Sequence, residues 1–119
     1  MTRIAALLVV AALAAGCGNA TAPSLVPGAD PKQGAKLIER YGCGSCHEIS
    51  GIEGASGRVG PSLVHFKDIR FIAGEIPNNT GNAVRWVMHP QKIEPGTIMP
   101  DLGVSEPEAR DIAAYLYAH

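Results

Sequence analysis

The chain has 119 residues, 46% of them hydrophobic and 18% charged, with 14 Gly and 9 Pro. That length suits one small globular domain rich in turns and leaves no room for two. Ten basic against eleven acidic side chains give a formal charge of −1, so neither a basic nucleic-acid surface nor a polybasic membrane patch is expected.

The N-terminal residues read as an address. Arg3 provides a positive start, and Ile4 to Ala15 form an apolar run that ends in Ala14-Ala15-Gly16-Cys17. A spanning helix needs about 20 apolar residues. This run is shorter and passes at once into Gly18-Asn19-Ala20-Thr21, so residues 1–16 are expected to be a cleaved export signal. The small residues before Cys17 resemble the lipobox of bacterial lipoproteins, in which the freed cysteine carries a diacylglycerol. Leucine is usual three positions before that cysteine; here Ala14 stands there and Leu13 one step earlier. An ordinary secretory peptide cut near Ala14 is the alternative. Lipidation of Cys17 is preferred because it accounts for a lone third thiol after an export signal. It implies an exported protein held by lipid on the periplasmic side of a bacterial membrane.

Residues 17–29 contain Pro23, Pro27 and Gly28 among small side chains and are expected to be a flexible tether, with the folded domain covering residues 30–119. Asp30-Pro31 is a good helix start, and Gly34, Leu37, Ile38 and Tyr41 follow helical spacing in a segment that delivers Cys43. From Ile49 to Asn79 glycines and prolines predict loops, with one short helical segment around Ser62 to Lys67. Thr80 can cap a second helix with Ala83, Val84, Val87 and Met88 inward, which Pro90 ends. Pro95-Gly96 opens another loop. Ser105 and Glu108 form a capping box for a last helix with Ala109, Ile112, Ala113 and Leu116 on one apolar stripe. No segment alternates long enough to predict a strand, so the fold class is all-α. Three amphipathic helices in so short a domain bury a limited core, and such domains often need a covalent or metal staple.

Cys43-Gly44-Ser45-Cys46-His47 is the pattern of c-type haem attachment. Two thiols on one turn can each bond a haem vinyl group while the adjacent imidazole reaches the iron. One rival is a disulfide-exchange pair, which expects a βαβ setting that is missing here. The other is structural zinc, which needs four closed ligands at familiar spacings.

From about Pro31 to the C-terminus the sequence resembles class I cytochromes c. Gly42 to Gly51, Val59-Gly60-Pro61-Ser62-Leu63, Ala73-Gly74-Glu75-Ile76-Pro77-Asn78 and Pro90 to Pro100 look like the cytochrome c domain of subunit II of caa-type cytochrome c oxidases. The resemblance implies the class I cytochrome c fold, three or more short helices and long loops around one covalently bound haem c. It implies that the Pro61 carbonyl accepts the second ring nitrogen of His47, a bond that fixes the tautomer of a metal-bound imidazole; a plain loop proline is the alternative. It also puts Arg70 and Trp86 at the haem propionates, against the alternative of a solvated arginine and a core tryptophan. Asn78 and Asn79 are weaker candidates for the same task. The copper-binding part and transmembrane hairpin of that subunit have no counterpart here. A carrier docking on a redox partner such as a cytochrome c oxidase or a dehydrogenase is therefore expected ahead of a fixed subunit.

For the second axial ligand Met99, in Gly96-Thr97-Ile98-Met99-Pro100, lies on a loop able to cross a haem face. Met88 sits inside a predicted helix, where a thioether is more often core filler. His65, His89 and His119 are the remaining alternatives. With His47 and Met99 both on iron no position is open, which predicts one-electron transfer and no turnover. A haem enzyme or gas sensor with a labile methionine is the alternative.

Overall fold

The computed structural model describes residues 24–119. The apolar run and Cys17 lie outside them. Four α-helices, two 3₁₀ turns and one small hairpin follow one another along the described residues. The first helix, α1, spans Pro31–Tyr41 and begins as the sequence requires: the Asp30 side chain accepts from the Lys32 N–H and Pro31 takes the first position. It ends because Gly42 turns left-handed at φ 71° and returns its N–H to carbonyls of the last turn. That reversal leads straight into a 3₁₀ turn at Cys43–Ser45.

The last helix, Glu106–Ala118, is the core element; with the helices at Thr80–Met88 (α2) and Pro90–Ile93 (α3) before it, it is α4. Ala109, Ile112, Ala113 and Leu116 are buried as their spacing implies, and so are Ala114, Tyr115 and Tyr117. The stripe widens because α1 covers one side of α4 while α2 and a 3₁₀ turn at Phe66–Asp68 cover another. Helices α1 and α4 meet backbone to backbone. A methyl at Gly34 would overlap the Asp111 carbonyl, so only glycine permits this approach. The Glu108 carboxylate gathers Ser105 N–H and hydroxyl at 3.0 and 2.8 Å and the Tyr41 hydroxyl at 2.8 Å, joining the start of α4 to the end of α1. These hydrogen bonds hold the Glu108 carboxyl below the ordinary carboxylate range.

Four expectations are revised. Residues 24–29 are packed on the domain, not free: Val26 is 1% exposed and the Pro27 carbonyl accepts from the Arg110 guanidinium at 2.6 Å. The cap of α2 is Asn79, whose side chain accepts from Asn82 N–H, and Thr80 is already helical. The helical segment expected around Ser62 to Lys67 is the single 3₁₀ turn at Phe66–Asp68, entered through His65 at φ 55°. Finally, strands β1 (Phe71–Ile72) and β2 (Ile76–Pro77) pair antiparallel. Two residues a side are too few to display an alternating pattern. Mostly helical with little strand, the molecule keeps the expected all-α class. No helix among the described residues is long and apolar enough to cross a membrane.

Candidate cofactor site

Cys43, Cys46 and His47 emerge together from the turn that follows α1. Their backbone is folded tightly, with His47 N–H and Cys46 N–H both donating to the Cys43 carbonyl at 3.0 and 3.2 Å. A second stretch, residues 55–63, is laced over this turn by main-chain bonds: Gly57 N–H to Gly44 O at 3.1 Å, Gly60 N–H to Cys46 O at 2.8 Å and Leu63 N–H to Glu48 O at 2.9 Å. Three glycines make the lacing possible. A Cβ on Gly44 would come 2.7 Å from Ala55, one on Gly57 would come 2.5 Å from the Ser45 carbonyl, and one on Gly60 would overlap the His47 ring. The roles of Gly44 and Gly57 escaped the sequence reading, because a close approach leaves no mark in local spacing.

The His47 ring is held from its other side. Its Nδ1 lies 2.7 Å from the Pro61 carbonyl oxygen, and since a carbonyl only accepts, Nδ1 carries the proton and donates. Nε2 is then the nitrogen with the lone pair, the form of imidazole that binds a metal. Both thiols are half-buried and free of any disulfide. Burial pushes the Cys43 thiol up, which keeps it protonated and is opposite to what a disulfide-exchange nucleophile needs. Among the described residues no group of three or more His, Cys, Asp and Glu side chains is assembled to hold a metal ion, so no structural zinc set is present there.

Residues 31–118 match the family model for cytochrome c. The chain belongs to the cytochrome c family. It is 33% identical over 85 residues to cytochrome c oxidase subunit 2 of Alkalihalophilus pseudofirmus, a match covering 71% of this chain and 24% of that subunit. It is also 33% identical over 107 residues to cytochrome c of Ginkgo biloba, covering 78% of this chain and 91% of the relative. No solved structure matches significantly.

A cytochrome c domain carries covalently bound haem c, and the cysteine pair of this family member is Cys43 and Cys46. The residues present suit such a group: two free thiols on one turn, and an imidazole whose tautomer leaves Nε2 unprotonated. The polypeptide also leaves apolar side chains uncovered, Val59 at 64% on the stretch laced over the turn, Phe71 at 49% on β1 and Ile98 at 81% beside Met99. Such side chains are of the kind that an apolar macrocycle packs against.

The remaining sequence candidates are distributed as follows. Met99 is half-buried on the loop after α3, while Met88 ends α2 and packs against the core. Gln91, which the sequence did not single out, donates through its amide to the carbonyls of Thr97 at 2.5 Å and Met99 at 2.8 Å. Trp86 packs half-buried against the core, and Arg70 is exposed. Asn78 is committed elsewhere. Its amide N–H groups go to Phe66 O and Ile69 O, both at 2.8 Å, and its oxygen accepts from the Tyr117 hydroxyl, which removes it as a propionate donor. The Asn79 side chain caps α2 through its oxygen. Of the alternative histidines, His65 is exposed, His89 is exposed at the boundary between α2 and α3 and makes no side-chain capping bond, and His119 stacks on Tyr115 at 4.0 Å between centroids.

Proposed function

We propose that this cytochrome c family member is an exported one-electron carrier. In this reading haem c is bonded to Cys43 and Cys46 and ligated by His47 and Met99. The family points to haem-based electron transfer; the ligand pair, the partner and the location are the proposal. The observation that carries the assignment of His47 is the bond from its Nδ1–H to the Pro61 carbonyl, which leaves Nε2 as the donor atom and raises its basicity, while Met99 is assigned from its place in the loop at residues 96–100. When bound, the haem supplies the ferric/ferrous couple. The protein's part is to orient the imidazole, to present the Met99 thioether, whose ligation would raise the potential relative to a bis-histidine site, and to keep the ligand set closed. Arg70 and Trp86 are assigned to the propionates, a guanidinium and an indole N–H being able to stabilise a partly buried carboxylate.

The redox partner is proposed to be a respiratory complex, a terminal oxidase or a dehydrogenase, on the strength of the likeness to an oxidase subunit. Cys17 is proposed to carry the lipid that holds the carrier at the periplasmic side of a bacterial membrane. Replacing Cys17 by Ser is expected to move the protein to the soluble fraction, and unchanged membrane association would remove the anchor from this reading.

The deciding experiment is the ferric spectrum of protein matured in a host competent for cytochrome assembly. The wild type and Met88→Ala are expected to keep the sulfur-to-iron charge-transfer band, and Met99→Ala to lose it. A high-spin resting iron in the wild type would favour the enzyme or sensor reading. A band lost only in Met88→Ala would reassign the ligand.

A further inference from the structure

Residues 98–104 have few ways to hold their shape. Thr97 N–H donates to Glu94 O at 3.1 Å, and the next backbone bond to a carbonyl along the described chain is that of Ala109 to Ser105 O, within the start of α4. Ile98 is 81% exposed, so packing does not fix the start of the stretch, and the core takes hold only at its far end, where Val104 is buried. What holds the part around Met99 is Gln91. Both donors of its amide are used, one on the carbonyl of Thr97 and one on that of Met99. Its own backbone N–H donates to Asp101 Oδ1 at 3.2 Å. One residue therefore grips the chain before, at and after the methionine. Gln91 can do this because it is carried by α3, whose first residue, Pro90, is fully buried and seats the helix on the core.

We propose that Gln91 is a positioning residue for Met99, and that its amide sets how readily the thioether is displaced by an external ligand. The inference rests on the reading of Met99 as the second axial ligand. Gln91 touches neither the cofactor nor the reacting atoms in this role; it acts through two backbone carbonyls. A shorter side chain cannot span both. A carboxylate of the same shape turns two donors into acceptors facing carbonyl oxygens, and a leucine leaves the two carbonyls without a protein donor.

The test uses the full, haem-loaded chain and imidazole as the competing ligand, followed by loss of the sulfur-to-iron band. Gln91→Leu and Gln91→Glu are expected to bind imidazole about tenfold or more tightly than the wild type, the weight of one net hydrogen bond. Asn78→Ala is the control for general loosening. It breaks the hydrogen bonds to Phe66 O and Ile69 O far from this loop in sequence, so it should lower the unfolding midpoint while leaving imidazole affinity unchanged. If Met99→Ala abolishes the band yet both Gln91 variants bind imidazole like the wild type, the positioning role is wrong and the ligand assignment survives. The same follows if Asn78→Ala raises imidazole affinity as much as they do. If Met99→Ala keeps the band, the ligand assignment itself fails.

Discussion

Residues 43–63 hold their shape through main-chain hydrogen bonds and glycine close approaches, whereas residues 97–101 depend largely on one neighbouring side chain, Gln91. Both stretches are irregular and both carry proposed ligands. The first is fixed by atoms every residue possesses, so its tolerance is set by volume: anything larger than hydrogen at Gly57 or Gly60 meets backbone or imidazole. The second is fixed by a particular amide, so its tolerance is set by chemistry at one position. A segment of the first kind should fail by losing its fold, and one of the second kind by loosening its ligand.

The sharpest way to break that contrast is Gly60→Ala. The new methyl overlaps the His47 ring, and overpacking of this kind costs about 3 kcal/mol where neighbours cannot yield. The expected outcome is a lower thermal midpoint together with a reduced yield of covalent haem; normal haem incorporation would show the lacing to be softer than its geometry.

Between the two extremes lies the turn at Phe66–Asp68, tied to α4 through Asn78 and Tyr117, whose ring also meets Phe66 edge-on at 5.2 Å. Burial pushes the Tyr117 phenol up to about 12. A phenol whose folded value is raised stabilises the fold fully below its ordinary value of about 10 and loses that contribution as pH climbs toward the folded value. Tyr117→Phe should therefore be about 1 kcal/mol less stable at neutral pH, with the gap to the wild type closing as pH rises from about 10 to about 12. Denaturant unfolding across that range checks the sign; a widening gap would refute it.

Gly96→Ala probes the other loop. Gly96 sits at φ 84° with nothing within 4 Å of an added methyl, so only backbone strain of about 1 kcal/mol is expected. Imidazole affinity should rise modestly while haem yield stays normal. The smallest effect is reserved for Pro61→Ala, which keeps the carbonyl that His47 uses and removes only ring rigidity, about 0.5 kcal/mol. The ferric spectrum should be unchanged. A changed one would mean that the proline ring itself, and not its carbonyl, orients the imidazole.

Much of this was legible in the chain itself. The Asp30-Pro31 start, the Ala109, Ile112, Ala113, Leu116 stripe and the Cys43–His47 pentapeptide are local patterns, and each depends on residues within a few positions of one another. What stayed hidden depends on partners distant in sequence. Gly57 reads as one glycine among many until it faces Ser45, and Gln91 reads as a surface polar residue until Thr97 and Met99 fold back to it. Asn78 and Val26 were misjudged for the same reason. An asparagine in a loop and a valine among prolines show their partners, Tyr117 and the core, only in three dimensions.

The seating of Val26 has a mechanical consequence. With that side chain buried and the Pro27 carbonyl held by Arg110, tension applied to the chain upstream of Ser24 is delivered to α4 before it reaches α1. The Cys43–His47 turn lies beyond that strain relief, so the domain can be leashed by its front end without the pull being felt where the thiols and imidazole must stay in register.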